Sequence, residues 1–79
     1  MKVNVLFFGA TADIVGARRL ETEIGRVTTP AAVVEKLAGL HPSLKSHQLL
    51  FAVNESYVDK GEPLNDGDEL AIFTAVSGG

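Results

Sequence analysis

Apolar and polar positions alternate with a period of two in some stretches of this chain and of three to four in others, and the changes of period mark out its elements. Val3, Val5 and Phe7 fall on one face of a stretch over residues 3–8, with Leu6 and Phe8 on the other. That two-sided pattern predicts a central strand, covered on one side and partly on the other. Gly9 breaks it. Residues 11–15 predict a brief helix with Thr11 as its cap, Asp13 in the first turn and Gly16 as terminator. Leu20, Thr22 and Ile24 then alternate with Glu21 and Glu23, as a half-buried strand does.

The strongest helical signal follows. Thr29 is a suitable N-cap, and Pro30 sits at the first helical position, where its missing N–H costs nothing. Val33, Val34, Leu37 and Leu40 form one apolar face, which Gly39 and His41-Pro42 bring to an end. Ser43 to Gln48 predicts only a loop or a single turn. Leu49 to Val53 reads as a strand, Asn54-Glu55 as a tight turn, and Ser56-Tyr57-Val58 as a short return strand. Pro63-Leu64 opens another turn, Asn65-Asp66-Gly67-Asp68 is strong turn chemistry, and Glu69 to Phe73 forms the last strand. The economical way to bury this order is an α+β fold, a mixed sheet with one main helix across one face. Leu70 and Ile72 would then meet the helix. Phe73 would lie on the uncovered face as a candidate partner contact.

With 79 residues, 46% of them apolar, the chain makes one small globular domain near the lower limit for a self-sufficient core. It has no cysteine, which excludes disulfides, thiolate metal sites and a cysteine nucleophile. The apolar stretch near Met1 is too short for a signal sequence, and no segment approaches the roughly 20 apolar residues of a membrane span. A soluble cytoplasmic protein is the expectation. The net charge of −3 is unevenly spread: residues 1–53 carry six bases against four acids, and residues 54–79 carry six acids against Lys60 alone. No clustered Lys and Arg favour a nucleic-acid partner, and no membrane partner is expected. The acids are either solubilising turn residues or a surface for a basic protein partner.

Gly78-Gly79 stands where the sequence stops. Glycine is a small fraction of ordinary composition, so such a pair arises by chance roughly once in 200 chains. Without Cβ atoms it presents an unhindered carboxylate on a thin thread, suited to entering another protein's active site and being modified there. Other motifs are weak. His41 and His47 have no carboxylate or thiolate at ligand spacing, so no metal is expected. Asp66-Gly67-Asp68 falls far short of a calcium loop. Gly9 and Gly16 make no phosphate loop, Ser77 has no base partner and serves as a tail spacer, and Thr28-Thr29 serves as a helix start.

The layout, size and ending resemble the ubiquitin-like β-grasp fold. The residues resemble one branch more closely, the small sulfur-carrying (MoaD-like) subunit of molybdopterin synthase. The resemblance is carried by Val5-Leu6-Phe7-Phe8-Gly9, Ala12-Asp13-Ile14-Val15-Gly16, Ala52-Val53-Asn54, Val58, Pro63 through Phe73, and Val76-Ser77-Gly78-Gly79. It implies a β-grasp domain over residues 1–73 and a flexible tail over 74–79. One departure is Thr74-Ala75, where the family commonly has two prolines that would hold the tail extended. The ending also resembles the thiamine-pathway sulfur carriers.

The resemblance implies a carrier that is not catalytic alone. An E1-like adenylyltransferase would use ATP to adenylate Gly79, and a sulfur donor would convert it to a thiocarboxylate. The tail would then enter the large synthase subunit, within a heterotetramer, and pass sulfur to cyclic pyranopterin monophosphate in molybdenum cofactor biosynthesis. Gly78 would be a steric requirement, Tyr57, Phe73, Val76 and Ser77 would contact the large subunit, and the chain would bind no cofactor itself. The alternatives are a thiamine-pathway carrier, a ubiquitin-like modifier of target lysines, and a non-catalytic interaction module. If charge steers the partner, association should slow as ionic strength rises in stopped-flow measurements; rates indifferent to salt would remove the charge argument.

Overall fold

The computed structural model describes residues 1–25 and 28–75. Five strands form one sheet in the order β2-β1-β5-β3-β4. They are β1 (Lys2–Phe7), β2 (Arg19–Glu23), β3 (Leu49–Val53), β4 (Ser56–Val58) and β5 (Glu69–Thr74), joined by α1 (Ala10–Val15), α2 (Pro30–Ala38) and a 3₁₀ helix (Pro42–Ser46). β1 runs parallel to β5, and every other neighbouring pair is antiparallel. The sheet is therefore mixed, with the first and last strands at its centre, and α2 is the main helix on its covered face.

The core follows the alternation. Val3, Val5 and Phe7 of β1 and Leu70 and Ile72 of β5 are buried together with Val33, Val34 and Leu37 of α2. Thr29 caps α2 as expected, its Oγ1 accepting the Ala32 N–H at 3.2 Å, with Pro30 behind it. The helix stops at Ala38, so Leu40 comes after its last turn and is 81% exposed, not part of the apolar face. Leu44 takes the core place expected of Leu40. The ambiguous stretch is a 3₁₀ helix whose one buried residue, Leu44, is fully enclosed beside α2.

Thr11 does not cap α1. Gly9 holds that position, with φ 59° and ψ −128°, and Thr11 lies inside the helix with its side chain buried. A cap must precede the helix to reach forward to its free N–H groups, and α1 begins two residues earlier than a cap at Thr11 would set it. Gly16 ends the helix in the left-handed conformation, as expected. In β2, Thr22 is buried but Leu20 stays 36% exposed on this edge strand.

The turns do structural work. Asn54 (φ 48°) and Glu55 (φ 74°) both take positive φ, the two-residue hairpin turn that matches strand twist. In the acidic turn, Asp66 Oδ1 accepts the Lys2 N–H at 2.6 Å and Asp68 Oδ2 accepts the Asn65 N–H at 2.8 Å. Asn54 joins them, donating to Asp68 Oδ1 at 3.1 Å and accepting the Glu69 N–H at 3.1 Å. Asp66 and Asp68 thus act as turn residues. Leu64, buried, bridges to Thr28, so Thr28 pairs with this loop while Thr29 starts the helix.

β5 runs past the boundary expected after Phe73. Thr74 pairs with Leu49, and the Ala75 N–H donates to Gln48 O at 3.2 Å. A proline at 75 could not make that bond. The described chain is held to the sheet through Ala75, and residues 76–79 of the expected tail lie outside the described residues.

Leu44 and Leu40 give a direct check. Leu44→Ala should lower stability by about 2–5 kcal/mol in urea unfolding, and Leu40→Ala should change it by no more than about 0.5 kcal/mol. Equal effects would mean that α2 continues through Leu40.

Candidate functional site

The covered face of the sheet takes one residue in two from each strand, so the alternate residues form the opposite, open face. Register sets out their rows. Leu6 stands beside Ala71, Ala71 opposite Ala52, and Ala52 opposite Tyr57, which makes one apolar row across four strands. The neighbouring row pairs Leu50 with Phe73. The other half of the face is charged: Arg19, Glu21 and Glu23 of β2 stand opposite Leu6, Asn4 and Lys2. Lys2–Glu21 and Arg19–Glu69 are exposed ion pairs at 3.9 Å, worth little to stability.

Tyr57 and Phe73 meet across this apolar half. Their ring centroids are 5.8 Å apart with planes inclined at 61°, an edge-to-face contact. β3 lies between their strands, so their backbones are separated by two strand spacings, about 10 Å. Ala52 makes the meeting possible, since its methyl group leaves room for the Tyr57 ring to lean over β3. Tyr57 is 81% exposed and Phe73 half-buried, so the expected uncovered position of Phe73 is what the structure shows. Tyr57, which only the resemblance singled out, lies against it.

Phe8 joins the open face as a further exposed aromatic. It lies just past β1 and is 53% exposed, and it lines an open cleft of about 600 Å³ with Leu6 and Arg19, two residues of the open face. The signal in the sequence was the Leu6/Phe8 side of β1, opposite the residues that build the core. Leu50, 39% exposed, joins it in the same way.

Thr74 and Ala75 close β5 beside this face, and Val76, Ser77, Gly78 and Gly79 follow them in sequence. Those four expected site residues lie outside the described residues. Among the described residues no three His, Asp or Glu come together as a metal site, and His41 and His47 lie in the α2–β3 connection, away from the open face. No helix of the described residues is long and apolar enough to cross a membrane.

A family model described as the ThiS family matches residues 5–79, through Gly78 and Gly79. The chain belongs to the ThiS family. Its architecture is the ubiquitin-like β-grasp. It is 34% identical to the molybdopterin synthase sulfur carrier subunit of Chlamydomonas reinhardtii, over the whole of both chains. A chain from the protein–protein complex of subunits 1 and 2 of the molybdopterin-converting factor from Helicobacter pylori superposes with a TM-score of 0.66 at 25% identity, covering all of both chains. The small archaeal modifier protein 1 of Haloferax volcanii superposes with a TM-score of 0.82 at 25% identity, covering 95% of this chain and 98% of its own.

The Tyr57–Phe73 contact can be measured. A double-mutant cycle with Tyr57→Ala and Phe73→Ala in urea unfolding should give a coupling of about 0.5–1.5 kcal/mol. Additive losses would mean that the rings do not hold each other in solution.

Proposed function

We propose that this ThiS-family chain is the sulfur-carrier subunit of a molybdopterin synthase, with Gly79 as the residue that carries the sulfur. The observation that carries this reading is the end-to-end similarity to a curated sulfur carrier subunit, which spans the Gly78-Gly79 ending.

The chemistry starts from a carboxylate, which is a poor electrophile and holds no sulfur. An E1-like partner joins the Gly79 carboxylate to the α-phosphate of ATP and releases pyrophosphate, which makes the carbonyl carbon an electrophile with AMP as its leaving group. A sulfur donor attacks that carbon, AMP departs, and a thiocarboxylate remains. In the large synthase subunit the thiocarboxylate sulfur bonds to a carbon of cyclic pyranopterin monophosphate, and water cleaves the acyl–sulfur bond, which leaves the sulfur on the substrate and restores the Gly79 carboxylate. This chain's part is to place the terminal carbon. Gly78 and Gly79 add no side chain to obstruct a narrow channel, with Ser77 as spacer and Val76 as the nearest apolar contact. The apolar half of the open face carries no carboxylate, imidazole or ammonium group. It fits a docking surface, and acid–base catalysis falls to the partners.

The similarity to the small archaeal modifier protein 1 supports a second reading, in which Gly79 is joined to lysines of target proteins. The two share the activation step and differ in the acceptor.

The experiment is intact mass spectrometry after incubation with a molybdopterin-pathway activating enzyme, ATP and a sulfur donor. The expected result is the mass change of one oxygen replaced by sulfur, lost when Gly79 is deleted or when residues are appended after it. An unchanged mass overturns the carrier reading, and branched lysine conjugates in its place would establish the modifier.

A further inference from the structure

We infer that Thr11 is a positioning residue for the docking face, its hydroxyl locking the Phe8 backbone to β5 at the point where β1 leaves the sheet. The inference rests on the proposed docking of the open face against the large synthase subunit.

The pairing of β1 with β5 ends at Phe7 opposite Ile72. Beyond it β5 continues through Phe73 and Thr74 with β3 alone, since Leu50 and Leu49 pair with them on that side. On the side that β1 has vacated, the hydroxyl of Thr11 takes the next place. It is fully buried, it accepts the Phe8 N–H at 3.1 Å, and it lies 2.8 Å from both the Phe8 and the Ile72 carbonyl oxygens. One hydroxyl proton serves those two acceptors. The Phe8 N–H is itself 3.3 Å from the Ile72 oxygen, so four groups form one closed knot.

Two aromatic residues border this knot. Phe8 supplies two of its groups, and Phe73 follows Ile72 directly. Phe8 sits outside the strand, followed by Gly9 at φ 59° and ψ −128°, so its one backbone bond to β5, from its N–H to the Ile72 oxygen at 3.3 Å, is the last on that side. Backbone bonding to Thr11 and Ile72 is what fixes the ring relative to Leu6, with which it shares the cleft. An aromatic side chain fixed before docking loses less freedom on binding than one that must be ordered, and affinity rises accordingly. Thr11 touches no partner in this account and acts only through Phe8 and β5. A threonine that merely satisfied the core would leave the affinity of the folded protein unchanged.

The variants are Thr11→Val, which keeps the shape and removes the hydroxyl, Thr11→Ser, which restores it, Phe8→Ala, and the Thr11→Val/Phe8→Ala double variant. Two readouts are taken on the full chain at a temperature where unfolding curves show each variant folded; if Thr11→Val is not, Thr11→Cys is read in its place. The first is amide hydrogen exchange at Phe8, with Phe73, which pairs with Leu50 of β3, as the internal reference. The second is calorimetric affinity for the large synthase subunit.

Thr11→Val should speed exchange at the Phe8 amide, leave that at Phe73 unchanged, and weaken binding about tenfold, the loss of one well-made hydrogen bond's worth of positioning. Thr11→Ser should restore both. In the Phe8→Ala background Thr11→Val should change affinity by less than about twofold, because the residue it positions is gone. Unchanged exchange at Phe8, unchanged affinity, or an undiminished loss in the Phe8→Ala background each overturn the inference. Exchange needs no partner. If the wild type itself fails to bind the large subunit, the proposed function falls, and the Thr11 lock is judged on exchange alone.

Discussion

Val5 lies beside Leu70 and Phe7 beside Ile72 where β1 and β5 run in parallel, and these four side chains are at most 2% exposed. The pairing joins residues more than 60 positions apart, so it closes the whole chain into one unit, and its loop-closure cost is met only when the apolar face it creates is buried. Everything functional follows from that burial. A strand that gives Leu70 and Ile72 to the core must give Ala71 and Phe73 to the other side. The same alternation puts Leu6 beside Ala71 and brings Ala52 and Tyr57 into the row. The open face is therefore the complement of the core, specified by the same strands in the same register, and a one-residue slip of β5 would destroy both together.

Local chemistry was legible where it is self-contained. Thr29-Pro30 needs only its own helix to act as a start, and Asn54-Glu55 needs only its hairpin to take positive φ, so both were readable from the chain. The alternation of Leu70 to Phe73 was enough to place Phe73 on the uncovered face. What was not legible depends on a partner distant in sequence. Thr11 looks like a cap because threonine before a short apolar run usually is one, yet its hydroxyl answers to Ile72, 61 residues away. Leu40 fits the helical period, but whether the helix lasts that far was decided by the turn that lets Leu44 into the core. Tyr57 belongs to the site because Ala52 is small, a fact about a neighbouring strand that no local pattern contains.

The charge asymmetry changes meaning once the turns are seen. Asp66 and Asp68 point back at backbone N–H groups and at Asn54, fastening the last loop to the start of β1 and to the β3–β4 hairpin. Glu69 stands beside Arg19. Half of the acids that suggested a basic partner are thus engaged within the domain, at the end of the sheet where β5 begins. The open face keeps its charged residues on the β2 side and its apolar ones on the β3–β4 side, so a partner that covered it would meet greasy surface next to Thr74 and polar surface away from it. On the proposed reading, recognition is then carried by Phe73, Tyr57 and their neighbours, with charge setting orientation and encounter rate.

Geometry also limits how the tail is used. Among the described residues Ala75 is the last held to the sheet, by its bond to Gln48. Four residues lie beyond it, and a chain of four spans at most about 14 Å when fully extended. On the proposed reading, the reacting carbon of Gly79 must reach a partner's active site within that radius of the end of β5, so any partner has to seat itself against the ground next to Thr74. The apolar half of the open face is that ground. An activating enzyme and a synthase acting in turn on Gly79 must both approach there, and neither can bind while the other does. Their use of the chain is then necessarily sequential, and a docking face of a few apolar residues around two alanines suits that exchange, because a carrier held too tightly by its first partner would not reach its second.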